Sequence, residues 1–328
     1  MRALVTGADG LLGSHLVRRL LANGMDVRAF VLPGDVAPVI ADLPLEIVSG
    51  DLLDAGAVRR AVDGCALVFH CAAITDLWAD AQLVRRVNVE GTRHVLDACV
   101  QAAVRRLVYV GSASSFQFGT RERPGDERGA FPSEYESVAY MASKHRAMKL
   151  VREYVAERGL DAVIVAPTFM LGAHDFRPSS GELIRQFVRR GMPFVSKGGR
   201  NFACADDVAA ALAAAAEKGE RGEAYLAGGC NLSYREFFAK VADIVAGTRP
   251  PRFTLPRSVI VAAGAGGSLI GRLTGKRAAL NLTVARLSTV GTYYSSAKAI
   301  RELGMPQTPV ETGIEQSVRS LYEFGHLP

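Results

Sequence analysis

The chain lacks the usual signatures of a metal centre, a disulfide scaffold or a membrane span. Its five cysteines, Cys65, Cys71, Cys99, Cys204 and Cys230, form no CxxC pair, and their number is odd. That argues against a disulfide framework or zinc site and for reduced thiols in a cytoplasm. The six histidines (His15, His70, His94, His145, His174 and His326) show neither HxH nor HExxH spacing, so no metal is expected. Of these, only His174 falls near the expected ligand crevice. The apolar stretch 259–270 is too short, and too broken by glycine, to span a bilayer. It reads as a buried or substrate-covering helix, and no membrane partner is expected. No basic cluster carries interleaved aromatics, so nucleic acid is not expected either. The formal charge of +6 is mild, and pairs such as Arg18-Arg19 and Arg189-Arg190 read as solvated helix faces. Met1 leads directly into an apolar strand and a glycine turn, leaving no room for a signal peptide. There are no repeats, and the alanine-rich 209–216 is the sole biased stretch.

What remains is a chain of 328 residues, 49% of them hydrophobic. That can bury one large core or two modest ones. The first half alternates short apolar runs (2–6, 27–31, 46–49, 67–70, 107–110, 162–166) with longer helical patterns (11–23, 55–62, 82–103, 137–158). This alternation predicts an α/β fold, a doubly wound Rossmann sheet of parallel strands with a ligand crevice at their carboxyl ends. Gly24 and Gly159 sit where helix C-caps are wanted. After Pro167 the pattern changes: 181–190 and 206–216 read as helices, 224–226 as a late strand, and helices dominate from Ser233. The expected division is a dinucleotide-binding domain over 1–168, to which 200–230 return. A smaller, mainly helical substrate lobe would be built from 169–199 and 231–328.

Gly7, Gly10 and Gly13 follow the first strand and open the first helix. Glycine is needed where the chain turns tightly, where backbone approaches a pyrophosphate, and where helix meets strand. The N–H groups of Leu11, Leu12 and Gly13 at the helix start then face an anion. A tight turn with no ligand is the alternative.

Tyr140-Met141-Ala142-Ser143-Lys144 carries the second signal. A tyrosine is a poor acid or base near neutral pH, and a neighbouring cation favours its phenolate. Four residues on a helix return to the same face, so Lys144 is expected to lower the Tyr140 pKa. Ser112, ending the fifth strand, would supply the hydroxyl that holds a substrate oxygen. Tyr294-Ser295-Ser296-Ala297-Lys298 repeats the spacing outside the sheet-and-helix half and reads as a decoy. Tyr154, with Arg158 four residues on, reads as helix surface.

The spacing G-x-x-G-x-x-G together with Tyr140 and Lys144 resembles the extended short-chain dehydrogenase/reductase superfamily. Within it, the chain looks like the NAD-dependent epimerase/dehydratase and dihydroflavonol-reductase-like branch. The resemblance covers nearly the whole chain. It implies that Asp51 and Leu52 neighbour the adenine and that Cys71, Ala72 and Ala73 line the cofactor. It also implies that Lys144 binds the nicotinamide ribose, that Pro167 and Thr168 lie beside the nicotinamide, and that Asn88 orders water or backbone near the active site. Aligning on the strand selects Ser112 as the catalytic serine; aligning on Phe118-Gly119 selects Ser114. Arg200, before Asp207-Val208-Ala209, is in register with an arginine that grips the substrate diphosphate in sugar-nucleotide epimerases. A surface pair with Asp206 or Asp207 is the alternative. Ser114, Arg177 and Arg200 are the candidate substrate contacts.

Cofactor choice turns on the end of the second strand, where an acid would hold a ribose hydroxyl and an arginine a 2′-phosphate. Leu32 stands there, Asp35 is near, and Arg28 lies inside the strand. The balance leans to NAD over NADP. Three readings follow: a reductase or dehydrogenase acting on the carbonyl or secondary alcohol of a small, apolar molecule under the stretches 259–270 and 280–287; a sugar-nucleotide epimerase or dehydratase with retained NAD; and a nucleotide sensor without catalysis. Fold alone does not separate them. A homodimer through 82–103 and 137–158 is implied by the resemblance.

Overall fold

The computed structural model describes residues 1–34, 38–274 and 281–328, with the side chains of 272 and 273 left aside. Asp35 and Leu280 lie outside the described residues. The first half runs β1 (Arg2–Thr6), α1 (Leu11–Ala22), β2 (Asp26–Val31), α2 (Pro38–Ala41), β3 (Glu46–Ser49), α3 (Ala55–Val62), β4 (Leu67–His70), α4 (Ala81–Arg85), α5 (Thr92–Gln101), β5 (Arg106–Val110), α6 (Ala139–Glu157) and β6 (Ala162–Pro167). The second half adds β7 (Phe169–Leu171), α7 (Gly181–Arg190), β8 (Phe194–Ser196), β9 (Gly199–Cys204), α8 (Ala205–Lys218), β10 (Ala224–Ala227), β11 (Cys230–Ser233), α9 (Tyr234–Ile244), β12 (Phe253–Leu255), α10 (Arg257–Thr274), α11 (Leu282–Ser288), β13 (Gly291–Thr292) and α12 (Val310–Glu323).

Seven strands form one parallel sheet in the order β10-β6-β5-β4-β1-β2-β3. Strands β4 and β6 are buried along their whole length, as expected when helices cover both faces of a parallel sheet. Helices α1 and α8 cover one face through Leu16, Val17, Leu20 and Leu212. Helices α3, α5 and α6 cover the other through Val58, Leu96, Met148 and Val151. Each such side chain contributes about 1.5–3 kcal/mol when fully buried. Chain order reverses between β1 and β4, and their carboxyl ends, Thr6 and His70, flank the crevice.

The helical pattern over 82–103 is broken. A π-turn at Arg86–Gly91 separates α4 from α5 and inserts Asn88, a feature common at functional sites. Tyr154 is buried rather than on the surface, with its hydroxyl donating to Asp97 Oδ1 at 2.7 Å.

The second half builds a lobe around Phe187, Phe202, Phe237, Phe238, Ile314 and Leu321, with the Phe202 and Phe237 rings stacked at 4.2 Å. It includes short pairings absent from the sequence reading: β9 with β7, β11 and β13, and β12 with β8. The stretch 259–270 lies in α10 and is not buried. Ile260 and Gly264 face inward, but Val259, Leu269 and Ile270 are exposed, because α10 packs chiefly on the short α11. No helix among the described residues is long and apolar enough to cross a membrane.

Candidate active site

The turn between β1 and α1 needs its glycines. Gly7 has a φ of +65°, and a Cβ there would lie 2.8 Å from Ala72 Cα. A Cβ at Gly13 would strike the Gly7 carbonyl. Gly10 caps α1 and no side chain accepts from the first N–H groups, which leaves the amides of Leu11, Leu12 and Gly13 open to an anion. This cradle fits a dinucleotide pyrophosphate. Leu52 is buried, and its carbonyl accepts from His94 Nδ1 at 2.7 Å. Asp51 is exposed in a turn, its carboxylate accepting from Leu53 N. Cys71, Ala72 and Ala73 are half-buried after β4, with Ala72 N donating to Thr6 Oγ1 at 3.2 Å.

Tyr140 opens α6 beside the end of β5. The neighbouring Ser112 hydroxyl acts on the Tyr140 phenol in the direction of ionisation. Ser112 Oγ lies 2.8 Å from Ser114 Oγ, and of the two serines it is Ser112 that bears on the tyrosine. One turn further, Lys144 is buried, donates to the Val110 carbonyl at 2.6 Å and sits 4.9 Å above the Tyr109 ring. The expectation that Lys144 lowers the Tyr140 pKa is not met. Burial holds the phenol above its ordinary value, and the opposing influences are the Ser112 hydrogen bond and the charge of Arg200. Lys144 is itself pushed down to about 8 by burial.

Asn88 and His70 frame this pair. Asn88 Oδ1 accepts from Ile74 N at 2.8 Å, and its Nδ2 donates to Ile74 O and Ser143 Oγ, each at 3.0 Å. Ser143 in turn donates to the Tyr140 carbonyl at 2.8 Å. Asn88 therefore ties the segment after β4 to the tyrosine helix without touching the Tyr140 hydroxyl. Thr92 gives its one hydroxyl proton to the Asn88 carbonyl at 2.7 Å, so it accepts from His70 Nε2 at 3.0 Å. His70 Nδ1 then accepts from Thr6 at 2.8 Å. Burial, and next the Lys144 charge, push this imidazole down to about 3.

On the substrate side, Arg200 donates through Nε to the Tyr234 hydroxyl at 2.8 Å and stacks 5.0 Å over Phe169. It does not pair with Asp206 or Asp207. Asp206 holds His15 at 2.6 Å, and Asp207 accepts from Thr308 N and Oγ1, each at 2.7 Å. The Arg200 charge instead bears on Tyr140 and Tyr294. An apolar cluster of Val138, Met141 and Leu287, with Leu77, Phe131 and Tyr135 against it, surrounds the start of α6 and packs on Tyr140. Arg177 lies elsewhere: it is exposed and pairs with Asp9 of the glycine turn at 3.1 Å. His174 sits in the preceding loop, its ring 5.3 Å from His15. Pro167 ends β6. Thr168 donates to Asn201 Oδ1 at 2.8 Å, and buried Asn201 also binds Gly229, Asn231 and the Tyr294 carbonyl. Sequence reasoning missed this hub, since an asparagine inside an alternating strand carries no signal of its own.

The second Tyr-x-x-x-Lys pair diverges. Tyr294 is buried with its hydroxyl 3.4 Å from the Phe116 carbonyl, while Lys298 binds Glu223 at 2.5 Å and the Ala224 carbonyl at 3.0 Å.

A model of the NAD dependent epimerase/dehydratase family matches residues 3–228. A putative dihydroflavonol 4-reductase from Synechocystis is 32% identical over 98% of this chain and 95% of its own. Sterol demethylase protein B from Methylococcus capsulatus is 31% identical over the full length of both. The crystal structure of a nucleoside-diphosphate-sugar epimerase from Pseudomonas aeruginosa superposes with a TM-score of 0.82 at 26% identity, covering 100% of this chain and 99% of that one.

Proposed function

The chain belongs to the NAD-dependent epimerase/dehydratase family of the extended short-chain dehydrogenases/reductases, and on that premise we propose that it interconverts a ketone and a secondary alcohol on a bulky apolar molecule. The observation that carries this reading is the apolar cluster around Tyr140, built from Val138, Met141 and Leu287. Such a wall suits a ring system or acyl body better than a hydroxyl-rich sugar. The similarity to a dihydroflavonol reductase and a sterol-demethylation protein supports the same class.

The cofactor in this reading is a nicotinamide nucleotide, which supplies or accepts hydride. Backbone at Gly7, Gly10, Leu11, Leu12 and Gly13 would hold its pyrophosphate. Asp51 and Leu52 would neighbour its adenine, and Cys71, Ala72, Ala73, Pro167 and Thr168 would line its path. Arg28, the one cation of β2, is committed to Glu46 and to the carbonyls of Ala61 and Asp63, and Leu32 is 68% exposed at the strand end. Both support NAD.

Tyr140 acts as the acid in reduction. Burial keeps its phenol protonated, Ser112 aligns the substrate oxygen beside it, and the proton passes from the phenol to that oxygen. In oxidation the phenolate must form. The Ser112 hydroxyl and the charge of Arg200 then oppose the cost of burial. Asn88 fixes α6 against the segment after β4 and so sets where Tyr140 stands.

One specific observation favours an epimerase or dehydratase instead. Arg200 is held by the Tyr234 hydroxyl rather than paired with a carboxylate, its charge bears on Tyr140, and its planar fork suits a diphosphate. Denaturing the purified protein and identifying released nucleotide separates the two. An empty protein that oxidises NADH against an apolar ketone supports the reductase. Stoichiometric retained NAD with no such turnover overturns it.

A further inference from the structure

Charge is unevenly placed along this chain. Residues 244–301 carry nine Lys and Arg and no Asp or Glu, while the rest carries thirty against thirty-three. The acid-free stretch contains α10, whose outward side is apolar: Val259, Ala262, Ala263, Gly266, Leu269 and Ile270 all face solvent. Their spacing of three and four residues makes one stripe along a helix about 27 Å long. Val259, Leu269 and Ile270 are 48%, 58% and 61% exposed. The inward side is used by α11, against which Gly264 is pressed onto Ala285. Just before the helix, Phe253 pairs in register with Phe194 across β12 and β8, and both rings are exposed. In the same acid-free stretch Arg249, Arg252, Arg257 and Arg286 are exposed, and no ion pair holds any of them among the described residues.

We propose that α10 and the adjoining Phe194–Phe253 edge dock on the surface of an anionic phospholipid bilayer. An exposed apolar stripe in a stretch that carries exposed arginines and no acid is what an interfacial helix presents, with apolar groups entering the acyl boundary and cations meeting the headgroups. A second copy of the chain fits poorly: a two-fold dimer would set this acid-free region against itself. Nucleic acid would use the arginines and leave the stripe in water. Helix α11 also contributes Leu287 to the cluster on Tyr140, so the docked face adjoins the reaction site. That last link rests on the function proposed above; the docking itself does not.

The test is sedimentation of the purified full chain with phosphatidylcholine vesicles, with and without phosphatidylglycerol, read without any assay of turnover. Binding to the phosphatidylglycerol vesicles alone, weakened by salt, is expected. Leu269→Glu with Ile270→Glu should weaken it at least about tenfold, with thermal stability unchanged because both side chains face solvent. Arg252→Ser with Arg257→Ser, which leaves the apolar stripe intact, should cost roughly fivefold per charge. Absence of binding to anionic vesicles overturns the proposal, as does binding that neither pair of substitutions reduces. A change from dimer to monomer in the glutamate variant, without vesicle binding by the parent, would assign the face to a second copy instead.

Discussion

Two segments of this chain share the spacing Tyr-x-x-x-Lys and set it in different backbone. At Tyr140 and Lys144 the spacing lies on the first turns of α6, so both side chains share one helical face at the carboxyl end of β5. At Tyr294 the residue sits in an isolated bridge to Gly125, ahead of the helical turns that begin near Ala299. Its lysine consequently goes to β10, where Glu223 neutralises it. The local inventories are alike, since each lysine lies over a tyrosine ring and donates to a strand carbonyl. What differs is the company of the hydroxyl. Tyr140 meets a serine, an arginine charge and an apolar wall; Tyr294 meets a backbone carbonyl inside the core. Spacing is necessary for such a site, and the secondary structure beneath it decides whether one forms.

The largest effect that would sharpen this contrast is expected at Tyr140. Tyr140→Phe should lower kcat about 10³-fold while nucleotide binding, followed by fluorescence titration, is retained. Lys144→Met should cost about 10²-fold in kcat, yet apo stability should hold or rise by up to about 3 kcal/mol, because a buried charge is replaced by an apolar group. Lys298→Met, removing a partly exposed pair, should change kcat by less than about twofold. Ser112→Ala should lower kcat more than Ser114→Ala, by about tenfold between them, since Ser112 and not Ser114 bears on the Tyr140 phenol. An equal loss would return the serine assignment to its alternatives. Asn88→Ala leaves Ile74 N and O unpaired and should cost about 1–3 kcal/mol in denaturant unfolding.

The smallest effect is one of pH. The Lys144 pKa falls from 10.5 unfolded to about 8 folded. Between those values the unfolded chain binds more protons, so this group makes stability rise with pH from about 8 to 10.5. Lys144→Met should flatten that rise in thermal melts, and Lys298→Met should leave it.

The sheet was legible in the sequence where a strand is a short, buried apolar run bounded by a turn. Observed strands and helices of the first half begin and end within two residues of the sequence reading, except for the short α2, which that reading lacks, and where the π-turn splits 82–103. No residue pattern announces a π-turn, because it is fixed by what Asn88 reaches across the crevice. In the lobe, β7, β8 and β11 to β13 run two to four residues each, too short for periodicity to register. The tight glycine turn and the placing of Tyr140 and Lys144 on one helix were legible because residue type and spacing dictate local backbone there. Contacts between distant segments were not: Arg177 meets Asp9, and Arg200 turns to Tyr234 and Phe169 instead of Asp206 or Asp207. Exposure of α10 was hidden for a related reason. Its apolar composition reads as burial, and only the packing shows that α11 covers one side alone.

The central claim is that the α6 pair carries the proton transfer and its counterpart does not. The most direct test compares Tyr140→Phe and Tyr294→Phe in single-turnover nucleotide oxidation with saturating cofactor and a ketone that the parent enzyme reduces. The account expects Tyr294→Phe to stay within about twofold of the parent rate and Tyr140→Phe to fall about 10³-fold. Equal losses in the two variants, or a larger loss at Tyr294, would contradict it.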